Sequence, residues 1–117
     1  THKCGSGLLD GQGVNVSLLV ELSHFRHPIT KQIRYVFSVF KKHPYGLDRV
    51  YQLDVLQCKK TIKNRHSKPH EHIGNKRIEG HDTWSNWSYD DCLRHFCNKT
   101  NITFNPAIQS PDNFNLR

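Results

Sequence analysis

The sequence predicts an α+β fold: one N-terminal helix packed on a central antiparallel sheet, stapled by disulfides, as a single domain over residues 1–117. Three observations point there. Ile33 to Cys58 holds two β-branched and aromatic runs around a polar turn. Val14 to Phe25 carries leucines at helical spacing. Four cysteines, Cys4, Cys58, Cys92 and Cys97, are spread from end to end with no CxxC pair among them.

Thr1 to Gly13 is a Gly-rich lead-in, read as irregular because glycine loses the most backbone freedom on ordering. Val14 to Phe25 fits two patterns. Val14, Val16, Leu18, Val20 and Leu22 alternate as in a strand, whereas Leu18, Leu19, Leu22 and Phe25 line one side of a helix. Its length and its Leu-Glu-Leu content favour the helix, which Pro28 ends. Ile33 to Phe40 reads as a strand without a breaker, and Lys41 to Gly46, with Pro44, as the turn after it. Arg49 to Gln57 is the second strand. It puts Tyr51, Leu53 and Val55 on one face and Gln52 and Asp54 on the other. Lys59 to Gly80 is polar and histidine-rich, a long surface loop with a short strand at Lys76-Arg77-Ile78. Thr83 to Phe96, with Trp84, Trp87, Tyr89 and Leu93, reads as a strand, a turn at Asp90-Asp91 and a short final strand. Asn98 to Phe104 extends the sheet, and the tail after it, with Pro106 and Pro111, is irregular.

The net charge of +7 is concentrated. Lys59, Lys60, Lys63, Arg65, Lys68, Lys76 and Arg77 share one segment with only two acids, Glu71 and Glu79. Such a segment attracts polyanions. Sequence-independent RNA binding is expected through Lys59, Lys60, Lys63, Arg65, Lys68 and Arg77. The chain begins at Thr1 and contains no Met, which reads as a mature product relieved of its signal peptide. An even cysteine count and four Asn-x-Ser/Thr sequons, at Asn15, Asn86, Asn98 and Asn101, agree with an oxidising export route. No run is long enough to span a membrane, and no membrane partner is expected.

His66, His70 and His72 lie close together, with His81 and His95 beyond them. Their segment lacks apolar flanks that would hold ligands rigid, so neither a metal nor a cofactor is expected. Serines sit in no nucleophile elbow. Acid–base cleavage of RNA is the enzymatic option to weigh. It needs a base for the 2′-hydroxyl, an acid for the leaving oxygen and a cation for the phosphorane. Histidines and arginines are plentiful, but the central position of the second strand is Gln52, with Asp54 two residues on.

The order of these parts resembles the small secreted ribonuclease-like effectors of cereal powdery mildews, built on the scaffold of guanyl-specific fungal ribonucleases. Thr1-His2-Lys3-Cys4 stands where that family has an aromatic-x-Cys start, with His2 in the aromatic's place. Val14 to Phe25 falls at its helix. Ile33-Arg34-Tyr35-Val36-Phe37 is similar to its first sheet strand without the proline. Val50-Tyr51-Gln52-Leu53-Asp54-Val55-Leu56 is similar to its Tyr-Tyr-Glu-Trp-Pro-Ile-Leu strand, and Gly74-Asn75-Lys76-Arg77-Ile78 to its Gly-x-Asp-Arg-Val strand.

The resemblance implies a microbial ribonuclease-like sheet with the first cysteine closed onto a late one. The expected pairs are Cys4 with Cys97 and Cys58 with Cys92; four cysteines allow three pairings. It also implies degenerate catalytic positions. Gln52 replaces the general-base glutamate, Arg77 matches the arginine, His95 is the candidate late histidine, and Arg34 or Tyr35 falls where the first histidine belongs. The implied function is that of a catalytically dead, avirulence-type effector. It would be secreted, then delivered to the host cell cytoplasm, binding host protein or RNA and seen by a plant immune receptor. Two alternatives stand beside it: an active secreted ribonuclease with a displaced base, and a secreted receptor ligand with no nucleic-acid role.

Overall fold

The computed structural model describes residues 2–9, 12–13, 15–57 and 68–104; the side chains of His2, Lys3, Cys4 and Asn15 lie outside that description. Among the described residues the chain forms one sheet and one α-helix. The strands are β1 (His2–Leu9), β2 (Asn15–Arg26), β3 (Ile33–His43), β4 (Gly46–Leu56), β5 (His70–Ile73) and β6 (Lys76–Glu79). A short 3-10 helix (Asp82–Asn86) leads into α1 (Tyr89–Thr100). The strands lie side by side in chain order, each antiparallel to the next.

The α+β class is as expected from sequence, and so is the central hairpin. Pro44 and Tyr45 make its two-residue turn, with His43 opposite Gly46. Gly46 sits at φ 141°, a conformation side chains rarely adopt. Lys76-Arg77-Ile78 is a strand, joined to β5 through Gly74-Asn75, with Gly74 at φ 59°.

The position of the helix is a correction. The segment expected as an N-terminal helix, Val14 to Phe25, holds no helix among the described residues: Asn15–Arg26 is β2, and the helix comes last. The alternating pattern won over the helical one because both edges of this segment find partners, β1 on one side and β3 on the other. Val20, Leu22 and His24 are buried on one face as a strand requires. Within the lead-in, His2–Leu9 is also a strand: Gly5 and Gly7 lie in β1, which needs only backbone groups to pair with β2.

Thr83 to Phe96 is a second correction, since it holds no strand among the described residues. Ser88 caps α1 in a capping box: its hydroxyl accepts from Asp91 N–H while the Asp91 carboxylate accepts from Ser88 N–H. Asp90 and Asp91 favour the positive end of the helix and Lys99 the negative end. Asn101, left-handed at φ 57°, ends it, and Ile102 to Phe104 follow without joining the sheet. Tyr89, Cys92 and Phe96 recur at helical spacing and are buried against the sheet.

The core lies between α1 and one sheet face. Phe37, fully buried at the centre of β3, meets Tyr89 edge-on at 5.1 Å and Phe96 at 5.9 Å between ring centroids. Cys92 and Cys97 are free thiols on α1. Their expected partners, the Cys4 side chain and Cys58, lie outside the described residues. Among the described residues no helix is long and apolar enough to cross a membrane.

Removing the Phe96 ring leaves a cavity between helix and sheet. Phe96→Ala is expected to cost about 3–5 kcal/mol, against roughly 1 kcal/mol for Ser88→Ala. Urea unfolding of the two variants checks that order.

Candidate functional site

Alternation along the strands divides the sheet into two faces. Tyr35, Phe37, Tyr51 and Leu53 point toward α1. The opposite face carries a polar row across five strands: Glu21 opposite Ser38, Ser38 opposite Gln52, Gln52 opposite His72, and His72 opposite Arg77. A second row runs beside it through Asp54, His70 and Glu79.

Hydrogen bonds fix both rows. Gln52 Nε2 donates to Ser38 Oγ at 2.9 Å, and Gln52 Oε1 accepts from Arg49 Nη1 at 3.4 Å. Asp54 accepts two parallel bonds from Arg34, Nε to Oδ1 at 2.9 Å and Nη2 to Oδ2 at 2.8 Å. His70 Nδ1 donates to the Lys68 carbonyl at 2.8 Å, and its Nε2 lies 3.7 Å from Asp54 Oδ2. Arg77 Nε donates to Glu79 at 3.0 Å. Asp54 and His70 are buried, while Arg34 and Arg49 remain exposed and Gln52, His72 and Arg77 half-buried. A polar cleft of about 570 Å³ opens beside this face, lined by Phe40, Asp48, Arg49, Gln52 and the Gly74-Asn75 turn.

His72 stands where these charges meet, its ring centroid 4.9 Å from that of His70. Burial, then the neighbouring basic groups Arg49, His70 and Arg77, pushes its pKa below the ordinary histidine value; Asp54 opposes them. The ring is therefore held neutral near neutral pH.

The predicted site residues are only partly gathered. Gln52 and Arg77 share the polar row, with His72 between them. His95 does not join them. It lies on α1, on the other side of the sheet, where its Nε2 meets the buried carboxylate of Glu71 and its ring lies 4.7 Å from Trp84 and 5.1 Å from Trp87. The two indoles stack on each other. Lys59, Lys60, Lys63 and Arg65 lie outside the described residues; Lys68, half-buried, is within them. Among the described residues no three His, Cys, Asp or Glu side chains converge as metal ligands. Burial pushes the Cys92 and Cys97 thiols above their ordinary pKa, which suits packing better than nucleophilic attack.

Sequence reasoning misses Arg49, His70 and His72 as members of this face. The signal is present as His-x-His, two residues that point one way on a strand, but it is weighed for a metal site while the segment is read as a surface loop; β5 forms there. Comparison with protein-family models, curated proteins and solved structures gives no match.

A depressed histidine pKa means that the folded state binds fewer protons than the unfolded one. The contribution of His72 to stability is thus full above its unfolded value, about 6.5, and is lost as pH falls below it. By NMR, the His72 ring is expected to titrate below that value, and Arg49→Ala to move its midpoint upward. A midpoint unchanged by that substitution refutes the electrostatic account.

Proposed function

We propose that the polar sheet face binds the phosphates of RNA without cleaving them, in a secreted, effector-type protein. One observation carries this reading: the central position of the row is an amide, Gln52, bonded on both sides by Ser38 and Arg49. A neutral amide cannot take a proton from a 2′-hydroxyl. Asp54, two positions along the strand on that face, is engaged by both nitrogens of the Arg34 fork, and Glu21 lies two strands away in the row. Arg34, Arg49 and Arg77 supply donors that suit phosphate oxygens.

The effector role, secretion followed by action in the host cytoplasm, and a host protein such as an immune receptor as partner all rest on the sequence resemblance. The helix-first order which that resemblance implies is not the order of this chain. The proposal therefore rests on the sheet face and not on a shared ribonuclease scaffold. The Cys4–Cys97 and Cys58–Cys92 disulfides belong to the same proposal, although Cys92 and Cys97 are free thiols in this structure. Peptide mapping of secreted protein under non-reducing conditions tests them, and a Cys4–Cys58 link refutes the pairing.

A second reading has one observation in its favour. His72, held neutral between Arg49 and Arg77, is chemically able to accept a proton. It would make the protein an active ribonuclease with a histidine base.

The test is incubation with guanosine-containing RNA between about pH 5 and 8, beside Asp54→Asn and His72→Ala. No cleavage is expected from any of the three. Cleavage lost in either variant establishes an enzyme with a moved base. Binding is expected to fall with salt at a log–log slope of about −2, from three phosphates at roughly 0.7 each on a single strand. Arg49→Glu with Arg77→Glu is expected to remove most of that slope; a slope unchanged by the double variant places RNA elsewhere on the surface.

A further inference from the structure

We propose a second, separate site: a cleft on the helix side of the sheet that takes a single acyl chain ending in a carboxylate. It lies on the face opposite the polar row and does not depend on that reading.

α1 does not cover the whole apolar face. Beyond Thr100 the sheet continues, and a cleft of about 320 Å³ remains, walled by Leu18, Val39, Val50 and Ile73 from the strands and by Ile102 after the helix. That volume lies at the small end of ligand pockets, roughly 300–1,000 Å³. Two of the wall residues are conspicuously wet for their type: Val50 is 42% exposed and Ile73 46%. Ile73 sits opposite Tyr51, whose ring is in the core, so Ile73 points to the helix side. Grouped apolar exposure in a concavity marks a binding site more often than scattered surface residues do.

The backbone adds to this wall. Val39 pairs with Tyr51, but Phe40 pairs with Arg49, so Val50 is the extra residue of a β-bulge. A bulge re-aims a side chain that strict alternation would send to the other face. Here Val50 and Tyr51, neighbours in sequence, both line the cleft.

Charge selects the occupant. Among the described residues Lys99 is the one charged residue lining the cleft, and no carboxylate lines it. Lys99 is exposed and makes no ion pair among the described residues. An apolar chain in the cleft leaves an anionic head for that ammonium. The wall combines strands with the end of a helix around a concave volume, which suits a small ligand better than a flat protein interface.

The experiment is fluorescence titration of the protein with dansylated undecanoic acid, followed by displacement with dodecanoate and with dodecanol. Saturable binding displaced by dodecanoate is expected. Ile73→Trp fills the cleft and is expected to weaken binding by at least about tenfold, the equivalent of one or two buried methylenes. Val50→Asp, at the exposed bulge, tests the same wall without adding bulk. Lys99→Glu is expected to weaken dodecanoate by about fivefold or more while leaving dodecanol unchanged. Thermal melting of each variant shows that it remains folded. Absence of saturable binding overturns the proposal, as does binding that survives both Ile73→Trp and Val50→Asp in folded protein. Equal weakening of acid and alcohol by Lys99→Glu overturns the carboxylate assignment.

Discussion

The aromatic seam between β3 and α1 is the contact on which the rest depends. A six-stranded meander has one apolar face to hide, and among the described residues α1 is the element that hides it. It does so through Tyr89 and Phe96 closing over Phe37, with Tyr35 and Tyr51 beside them. Edge-to-face rings add roughly 0.5–1.5 kcal/mol per pair beyond their burial. Burial itself contributes more, about 1.5–3 kcal/mol for each such side chain. A sheet of this kind without its helix would present a continuous apolar surface to water and to other copies of itself.

Covering one face leaves the other to solve a different problem. Asp54 and His70 are buried there although both are polar. A buried carboxylate is tolerated when its lone pairs are met, and the Arg34 fork meets two of them. Arg34 comes from β3 and Asp54 from β4, so the pair also pins the register of the central hairpin. A slip of one residue would move Arg34 onto the apolar face and break the pair. The same bond that stabilises the hairpin removes Asp54 from service as a free base.

What is legible in the sequence follows from where periodicity is unambiguous. Ile33 to Phe40 and Arg49 to Gln57 have no competing helical pattern, and their strands, turn and two-faced alternation are readable. Val14 to Phe25 fits both periods; which one prevails is decided by partners on either side, and these are not visible in the segment itself. Tyr89 to Thr100 misleads because its aromatic content suggests a strand while its spacing is helical. Ser88-x-x-Asp91 ahead of Tyr89, Cys92 and Phe96 is a helix start that the sequence does display. Of the site, Gln52, Asp54 and Arg77 are legible because their strands are. His72 is not, since its place between Gln52 and Arg77 exists only once β5 has docked on β4.

The polar row also bears on how a likeness to ribonucleases should be weighed. Any antiparallel sheet with one covered face presents, on the other, rows of side chains from successive strands about 4.8 Å apart. Acid–base residues brought together in this way need no common ancestor and no helix at a particular end of the chain. The row Ser38, Gln52, His72, Arg77 therefore follows from period-two alternation in neighbouring strands, whether α1 precedes the sheet or follows it. What such a row can do is then decided by its members' chemistry. An amide at its centre, engaged on both sides, can hold a hydroxyl or a phosphate oxygen in place but has no means of taking a proton from either. Groups that can accept a proton, the imidazole of His72 and the carboxylate of Glu21, stand to either side of that amide.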